Sequence, residues 1–276
     1  MLKNSRGQVM NTLRFGSAVV IVVATMASAK AADLLTKAPP LPPPAAAGWT
    51  GWYVGANAGW AGSASNTVTN TGTDTGIGGL GSAIGKVIPA SIPLGYSGFI
   101  GGAQFGYNWQ VDYLVAGLEI DFDGISAKAG TVIPDAPPPP GFLPAPVSTS
   151  ATRALDWLGT FRGRVGVTPV APLLLYATGG LAVGERSLGI GVVAPVAIPP
   201  VNVSNQASNT SAGWTIGAGV EWMFAPHWSL KAEYLYVDLG NISSTIAYAY
   251  PGNSSTLTAT ARDTMNIVRG GVSYHF

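Results

Sequence analysis

The chain has 276 residues, only 10% of them charged, with 37 glycines, no cysteine and a formal net charge of +1. Soluble domains carry about 25% charged residues, so an ordinary water-facing surface is excluded, and the lack of a basic stripe excludes nucleic acid as a partner. Without cysteine there is no disulfide or thiolate chemistry, which suits the bacterial envelope without requiring it.

Residues 1–31 read as a cleaved signal peptide. Lys3, Arg6 and Arg14 form a basic start, 15–26 a short apolar core, and Ala29-Lys30-Ala31 a small-x-small cleavage site. Met1 or Met10 can serve as the start. Residues 32–48 form a Pro/Ala-rich periplasmic linker, stiffest over 38–47, where proline removes the N–H that a helix or paired strand needs. Beyond residue 30 no stretch approaches the ~20 apolar residues of a spanning helix. The hydrophobicity is instead diluted by alternation, the mark of strands.

From Trp49 onward eight segments alternate: 51–60, 98–109, 113–123, 155–168, 173–184, 213–224, 228–239 and 264–276. Short connections (110–112, 169–172, 225–227) take turns with long ones (61–97, 124–154, 185–212, 240–263). That order predicts an all-β domain over 49–276, an eight-stranded antiparallel up-and-down transmembrane β-barrel with short periplasmic turns and long extracellular loops. One face of each segment is apolar. Trp109, Tyr113, Trp222, Phe224, Trp228, Tyr274 and Phe276 crowd the short-turn side, and Trp60, Trp157 and Trp214 the other; with outward-facing Trp52 they give two aromatic girdles at the membrane interfaces. The last segment ends Tyr274-His275-Phe276, with Tyr274 and Phe276 on its apolar face.

The charges share the opposite face. Glu119, Asp121, Glu221 and Glu233 stand against Arg162, Arg164, Lys231 and Arg269, four acids and four bases. An eight-stranded barrel is wide enough only for its own side chains, so these must pair. Gly55, Gly59, Gly102, Gly106, Gly217 and Gly219 leave room for the long arms, and Gln104 and Thr215 supplement the plug. The network reads either as a structural filling or as a rearrangeable path for ions or small solutes. No catalytic, cofactor or metal site is expected. Both histidines, His227 and His275, lie on the short-turn side away from the long loops, and no Ser–His–acid constellation assembles without distorting the fold. The glycine run 76–81 matches G-x-G-x-x-G by letters but sits in a long loop with neither strand before nor helix after it.

Three stretches, 99–110 (Phe-Ile-Gly-Gly-Ala-Gln-Phe-Gly-Tyr-Asn-Trp-Gln), 213–222 (Gly-Trp-Thr-Ile-Gly-Ala-Gly-Val-Glu-Trp) and 230–238 (Leu-Lys-Ala-Glu-Tyr-Leu-Tyr-Val-Asp), resemble the RopB-type outer-membrane proteins of alphaproteobacteria. So do 163–166, 175–180 and the Tyr274-His275-Phe276 end. The resemblance implies an OmpA-like eight-stranded barrel in the outer membrane, with lipid and lipopolysaccharide as surroundings. It also implies that the barrel-insertion machinery reads Tyr274 and Phe276 as an assembly signal. A non-enzymatic monomeric surface antigen that supports envelope integrity is the first functional expectation. A narrow porin-like channel, or ligand binding or adhesion by the loops (haem in some relatives), are the alternatives.

Overall fold

The computed structural model describes residues 48–75, 80–84, 86–134, 146–195, 200–250 and 252–276. The signal peptide, nearly all of the linker, most of the glycine run and the proline-rich centre of 124–154 lie outside these residues. Ten strands and one short helix follow in chain order: β1 (Gly51–Ser63), β2 (Thr67–Asp74), α1 (Leu80–Ala83), β3 (Ser91–Pro93), β4 (Ser97–Val111), β5 (Leu114–Ile133), β6 (Ser148–Val170), β7 (Leu173–Ala194), β8 (Val201–Ala225), β9 (Trp228–Tyr250) and β10 (Asn253–His275).

All pair antiparallel. The order β1-β4-β5-β6-β7-β8-β9-β10 closes on itself where β1 meets β10, with Tyr53 opposite His275 and Trp60 opposite Val268. Eight strands make this closed ring, and β2 and β3 are two further strands that lengthen it. β2 continues the line of β1 along β10, placing Val68 opposite Ala261, and β3 continues the line of β4 along β2. The expected long loops are corrected. Most of 124–154, 185–212 and 240–263 is strand, so that β6 to β10 run 22 to 25 residues each.

The physical reason is a change of chemistry without a change of phase. In the lower half of β7 apolar Leu175, Leu181 and Val183 face out while Thr178 faces in. In its upper half, inward positions carry buried Leu188, Ile190 and Val192, and Ser187 and Gly189 take the outer face. A search for apolar-out alternation stops where that exchange occurs, although the backbone ladder continues.

The exchange coincides with a change of architecture. β8 pairs with β9 only from Trp214 downward, and β4 meets β5 no higher than the Ser97–Lys128 pair. Above those points the ring parts into two sheets, β5-β6-β7-β8 and β9-β10-β2-β3, which share one apolar core. Ile190 and Leu188 contribute from the first sheet and Ile246, Leu257 and Ile92 from the second, with Leu80, Val87 and Ile88 of the α1 region between them. A closed ring below thus becomes a β-sandwich above.

The two short turns on either side of the ring are tight. Asp112 and His227 hold φ of 54° and 67°, the left-handed region that turn residues such as Asp and His enter more readily than most.

Candidate functional site

The lumen is filled in layers, beginning at the short-turn end. Trp49 closes the base: it is fully buried, its indole N–H donates to the Ala171 carbonyl at 3.0 Å and its backbone N–H to Gln110 Oε1 at 2.8 Å. Gln110 stands near the end of β4 and Ala171 in the turn between β6 and β7, so one residue ties the floor together. Val115, Leu174, Tyr176 and Met223 pack with it.

Above Trp49, Ser229, His275 and Glu221 meet. Ser229 Oγ donates to Glu221 at 2.6 Å and lies 2.9 Å from His275 Nε2, which is 3.3 Å from the same Glu221 oxygen. The expectation that no Ser–His–acid group assembles is therefore corrected, because the inward phases of β8, β9 and β10 bring these three together. The geometry is not that of a nucleophile relay. One imidazole nitrogen faces both partners, and the serine hydroxyl hydrogen-bonds the acid directly instead of being deprotonated by the histidine.

All eight charges singled out in the sequence lie buried in the next layers. Arg162 donates to Glu233 at 3.0 Å, to Asp121 at 2.8 Å and to Glu119. Lys231 Nζ reaches both oxygens of Glu119 at 3.0 and 3.1 Å. Arg269 joins Glu233 at 2.8 Å and Asp121 at 3.3 Å, and makes a shorter 2.6 Å bond to Asp123. Arg164 reaches Glu221 at 3.1 Å and lies between the rings of Tyr53 and Tyr176, 4.4 and 5.4 Å from their centroids. Those phenols donate to Glu119 at 2.7 Å and Glu233 at 3.0 Å. Gly106 and Gly219 make this possible, since a Cβ at either would run into the Tyr53 or Tyr176 ring.

Asp123 was missing from the sequence reading, although it stands two residues beyond Asp121 in the same phase. With it the layer holds five acids (Glu119, Asp121, Asp123, Glu221, Glu233) for Arg162, Arg164, Lys231 and Arg269, so the expected equal numbers are corrected. Tyr53 and Tyr176 were missed because aromatics were read as outward-facing.

Apolar side chains seal the level above. Ile100, Leu158, Leu235, Val237, Met265 and Ile267 are buried against one another. Over that belt two further arginines share one acid. Arg153 donates to Asp263 at 2.6 Å and to the carbonyls of Ser65 and Leu94, at the breaks between β1 and β2 and between β3 and β4. Arg186 reaches the same carboxyl at 3.4 Å, the carbonyls of Gly240 and Asn241, and Ser211 Oγ, spanning the point where β8 leaves β9. Guanidinium groups thus stand in for the backbone ladder where the ring parts. Tyr96 lies under Arg153, 4.8 Å from ring centroid to guanidinium carbon, and burial pushes its phenol up. Arg153 falls in the segment 124–154 that reads as a long connection, and a bulge at Asp156, between the Leu155 and Trp157 pairings, also shifts the inward positions of β6 from even to odd numbers.

On the outer wall, Trp52, Trp60, Trp109, Tyr113, Trp214, Trp222 and Trp228 are exposed; Trp157 is half-buried, its indole N–H donating to Glu185 at 3.0 Å. Phe276 is exposed, sits 5.2 Å edge-on from Tyr274, and donates its N–H to the Trp52 carbonyl at 2.9 Å. Among the described residues no three His, Cys, Asp or Glu side chains are grouped to hold a metal.

The sequence matches the family model described as outer membrane protein beta-barrel domain over residues 16–276. It is 34% identical over 232 residues to a 31 kDa outer-membrane immunogenic protein of Brucella melitensis biotype 1, covering 81% of this chain and 87% of that protein. A 25 kDa outer-membrane immunogenic protein of Brucella abortus biovar 1 is 25% identical over 283 residues, covering 97% of this chain and 100% of that one. Among solved structures, the outer membrane protein OprG from Pseudomonas aeruginosa aligns at 12% identity with a TM-score of 0.38, covering 82% of this chain and 97% of that chain. Neisserial surface protein A aligns at 14% identity and a TM-score of 0.35, covering 82% and 98%. Scores this low carry no weight for the architecture, which rests on the strand pairing above. The chain belongs to the outer membrane protein β-barrel domain family and resides in the outer membrane of Gram-negative bacteria.

Proposed function

We propose that this protein is a sealed, non-enzymatic surface barrel that supports the outer membrane and carries no solute. Its lower ring of eight strands spans the bilayer, the short turns face the periplasm, and the sandwich stands outside the cell. The observation that carries this reading is the stacking of unlike layers in one lumen: Trp49, the ionic layer, the apolar belt, the Arg153–Asp263–Arg186 group and the sandwich core. A rearrangeable ionic network alone would leave the other layers shut. Purified protein in planar bilayers is expected to show no discrete openings; stepwise conductance would overturn the sealed reading. A cysteine placed at Thr71 is expected to react with an impermeant maleimide on intact cells. Protection until the outer membrane is broken would reverse the orientation.

The Tyr274–Phe276 end is proposed as the assembly signal. Its support is an exposed aromatic terminus on the last strand of the ring, hydrogen-bonded to the start of the first. Deleting Phe276 is expected to lower the yield of heat-modifiable, folded barrel several-fold in cells, and an unchanged yield would remove that role.

A further inference from the structure

Five carboxylates against four permanent cations leave the ionic layer one negative charge in excess, between the Trp49 floor and the apolar belt. Water screens little in such a place, so an uncompensated charge is costly. Four of the acids are well served. Glu119, Asp121, Glu221 and Glu233 each have a hydrogen-bond donor on both oxygens. Asp123 differs. Its Oδ2 accepts from Arg269 Nη1 at 2.6 Å, while its Oδ1 is buried with no donor within hydrogen-bond distance among the described residues. The same Nη1 donates to Asp121 Oδ1 at 3.3 Å, so two carboxyl groups crowd one guanidinium nitrogen. Two carboxyls sharing a site in this way repel each other less when one of them keeps a proton.

The neighbours decide which acid and which oxygen. Asp121 also accepts from Arg162 at 2.8 Å and from the Thr160 hydroxyl at 2.7 Å, whereas Arg269 is the one cation on Asp123 among the described residues. Glu233 on β9 draws on the same Arg269, Lys231 on β9 is taken by Glu119, and Arg162 on β6 by Glu119, Asp121 and Glu233. Directly opposite Asp123 stand Leu158 of the apolar belt on β6 and Gly102 on β4. A Cβ at Gly102 would come within 2.5 Å of Asp123 Oδ1, so the carboxyl leans across that strand toward β1. There Asn57, paired with Gly102, is buried with neither amide atom partnered. An amide offers an acceptor or a donor, and the charge count selects the acceptor. We propose that Asp123 is a neutral acid in the folded barrel, donating its Oδ1 proton to Asn57 Oδ1. That proton brings the layer to four charges of each sign and partners both groups. His275 is a poorer seat for it, because its Nδ1 is buried without a partner and an N–H there would meet no acceptor. A proton bound by the folded chain and not by the unfolded one makes stability fall as pH rises, so the barrel loosens in alkali. None of this depends on which end faces the cell or on whether the lumen conducts.

The test is infrared spectroscopy of the full folded barrel in an ester-free detergent at neutral pH, where a protonated carboxyl shows a carbonyl stretch that carboxylates lack. One such band is expected from the unaltered protein. It should shift when the chain is made cell-free with carboxyl-labelled aspartate, and stay in place with labelled glutamate. It should vanish in Asp123→Asn and remain in His275→Gln. Asn57→Leu keeps the carboxyl but removes its acceptor, so it should move the band, and it carries the test if Asp123→Asn does not fold. In urea titrations the unaltered barrel should lose midpoint from mildly acidic to mildly alkaline pH, and Asp123→Asn should lose clearly less. Absence of the band, its survival in Asp123→Asn, no movement in Asn57→Leu, or the same pH slope in both proteins would overturn the proposal. So would a missing band together with stability that rises with sodium, which would give the balancing charge to a bound cation.

Discussion

Arg162 serves three carboxylates at once, and each of them is buried. Ion pairs of this kind add little net stability relative to well-packed apolar groups, but removing one partner leaves charge without compensation. Arg162→Met is therefore expected to destabilise the refolded barrel by about 3–5 kcal/mol, read as a lower urea midpoint in detergent. A midpoint near that of the unaltered protein would show that Lys231 and Arg269 suffice for Glu119, Asp121 and Glu233. At this scale the sequence was informative wherever a strand kept its phase. Glu119, Arg162 and Lys231 announce themselves because charges two apart recur opposite apolar faces. Asp123 carries the same signal. Arg153 does not, because it falls in a segment that reads as a connection and one bulge residue moves it out of step, and Trp49 does not, because nothing in a lone tryptophan before the first strand tells that it folds under the ring.

Among the elements, the upper strands most depart from expectation. The segments 185–212 and 240–263 are rich in Gly, Ser, Thr and Asn, which ordinarily signals loops. Here they sit on the outer face of strands whose inner face is apolar, with Leu188, Ile190 and Val192 opposite Ile242, Ile246 and Leu257 in one core. The reading as loops assumed that a barrel strand shows its apolar face outward along its whole length, which holds only while lipid is the outer solvent. Amides of residues 187–193 are expected to resist hydrogen exchange for minutes or longer, whereas loop amides would exchange within seconds. Ile190→Asp places a carboxyl in the shared core without a partner. It is expected to expose the upper strands to protease while the ring below keeps its heat-modifiable mobility, and intact upper strands would argue against a common core.

For the molecule as a whole, the first and last strands of the ring are neighbours. Tyr53 pairs with His275, and Arg269 on β10 completes the sites of Asp121 and Asp123 on β5. Closure therefore waits for the final strand, a high contact order that predicts slow folding relative to a helical bundle of this size. The ring and its alternation were readable because lipid and lumen impose opposite chemistries on alternate residues. The division into two sheets was not, because it depends on which strands stop pairing, and pairing leaves no mark on composition.

The exchange of apolar and hydroxyl residues on the outer wall also fixes how deep the protein can sit. From Trp52 to Trp60 the greasy band of β1 spans eight residue steps, about 26 Å along the strand at ~3.3 Å each and roughly 20 Å of height once a tilt of about 40° is allowed. Sliding by one residue pair would drag hydroxyl rows into acyl chains or strand tryptophans in water. A bilayer of short-chain phosphatidylcholine should accordingly accept the unfolded chain faster than one of long-chain lipid. Equal insertion rates in the two would mean that thickness is not what this band measures.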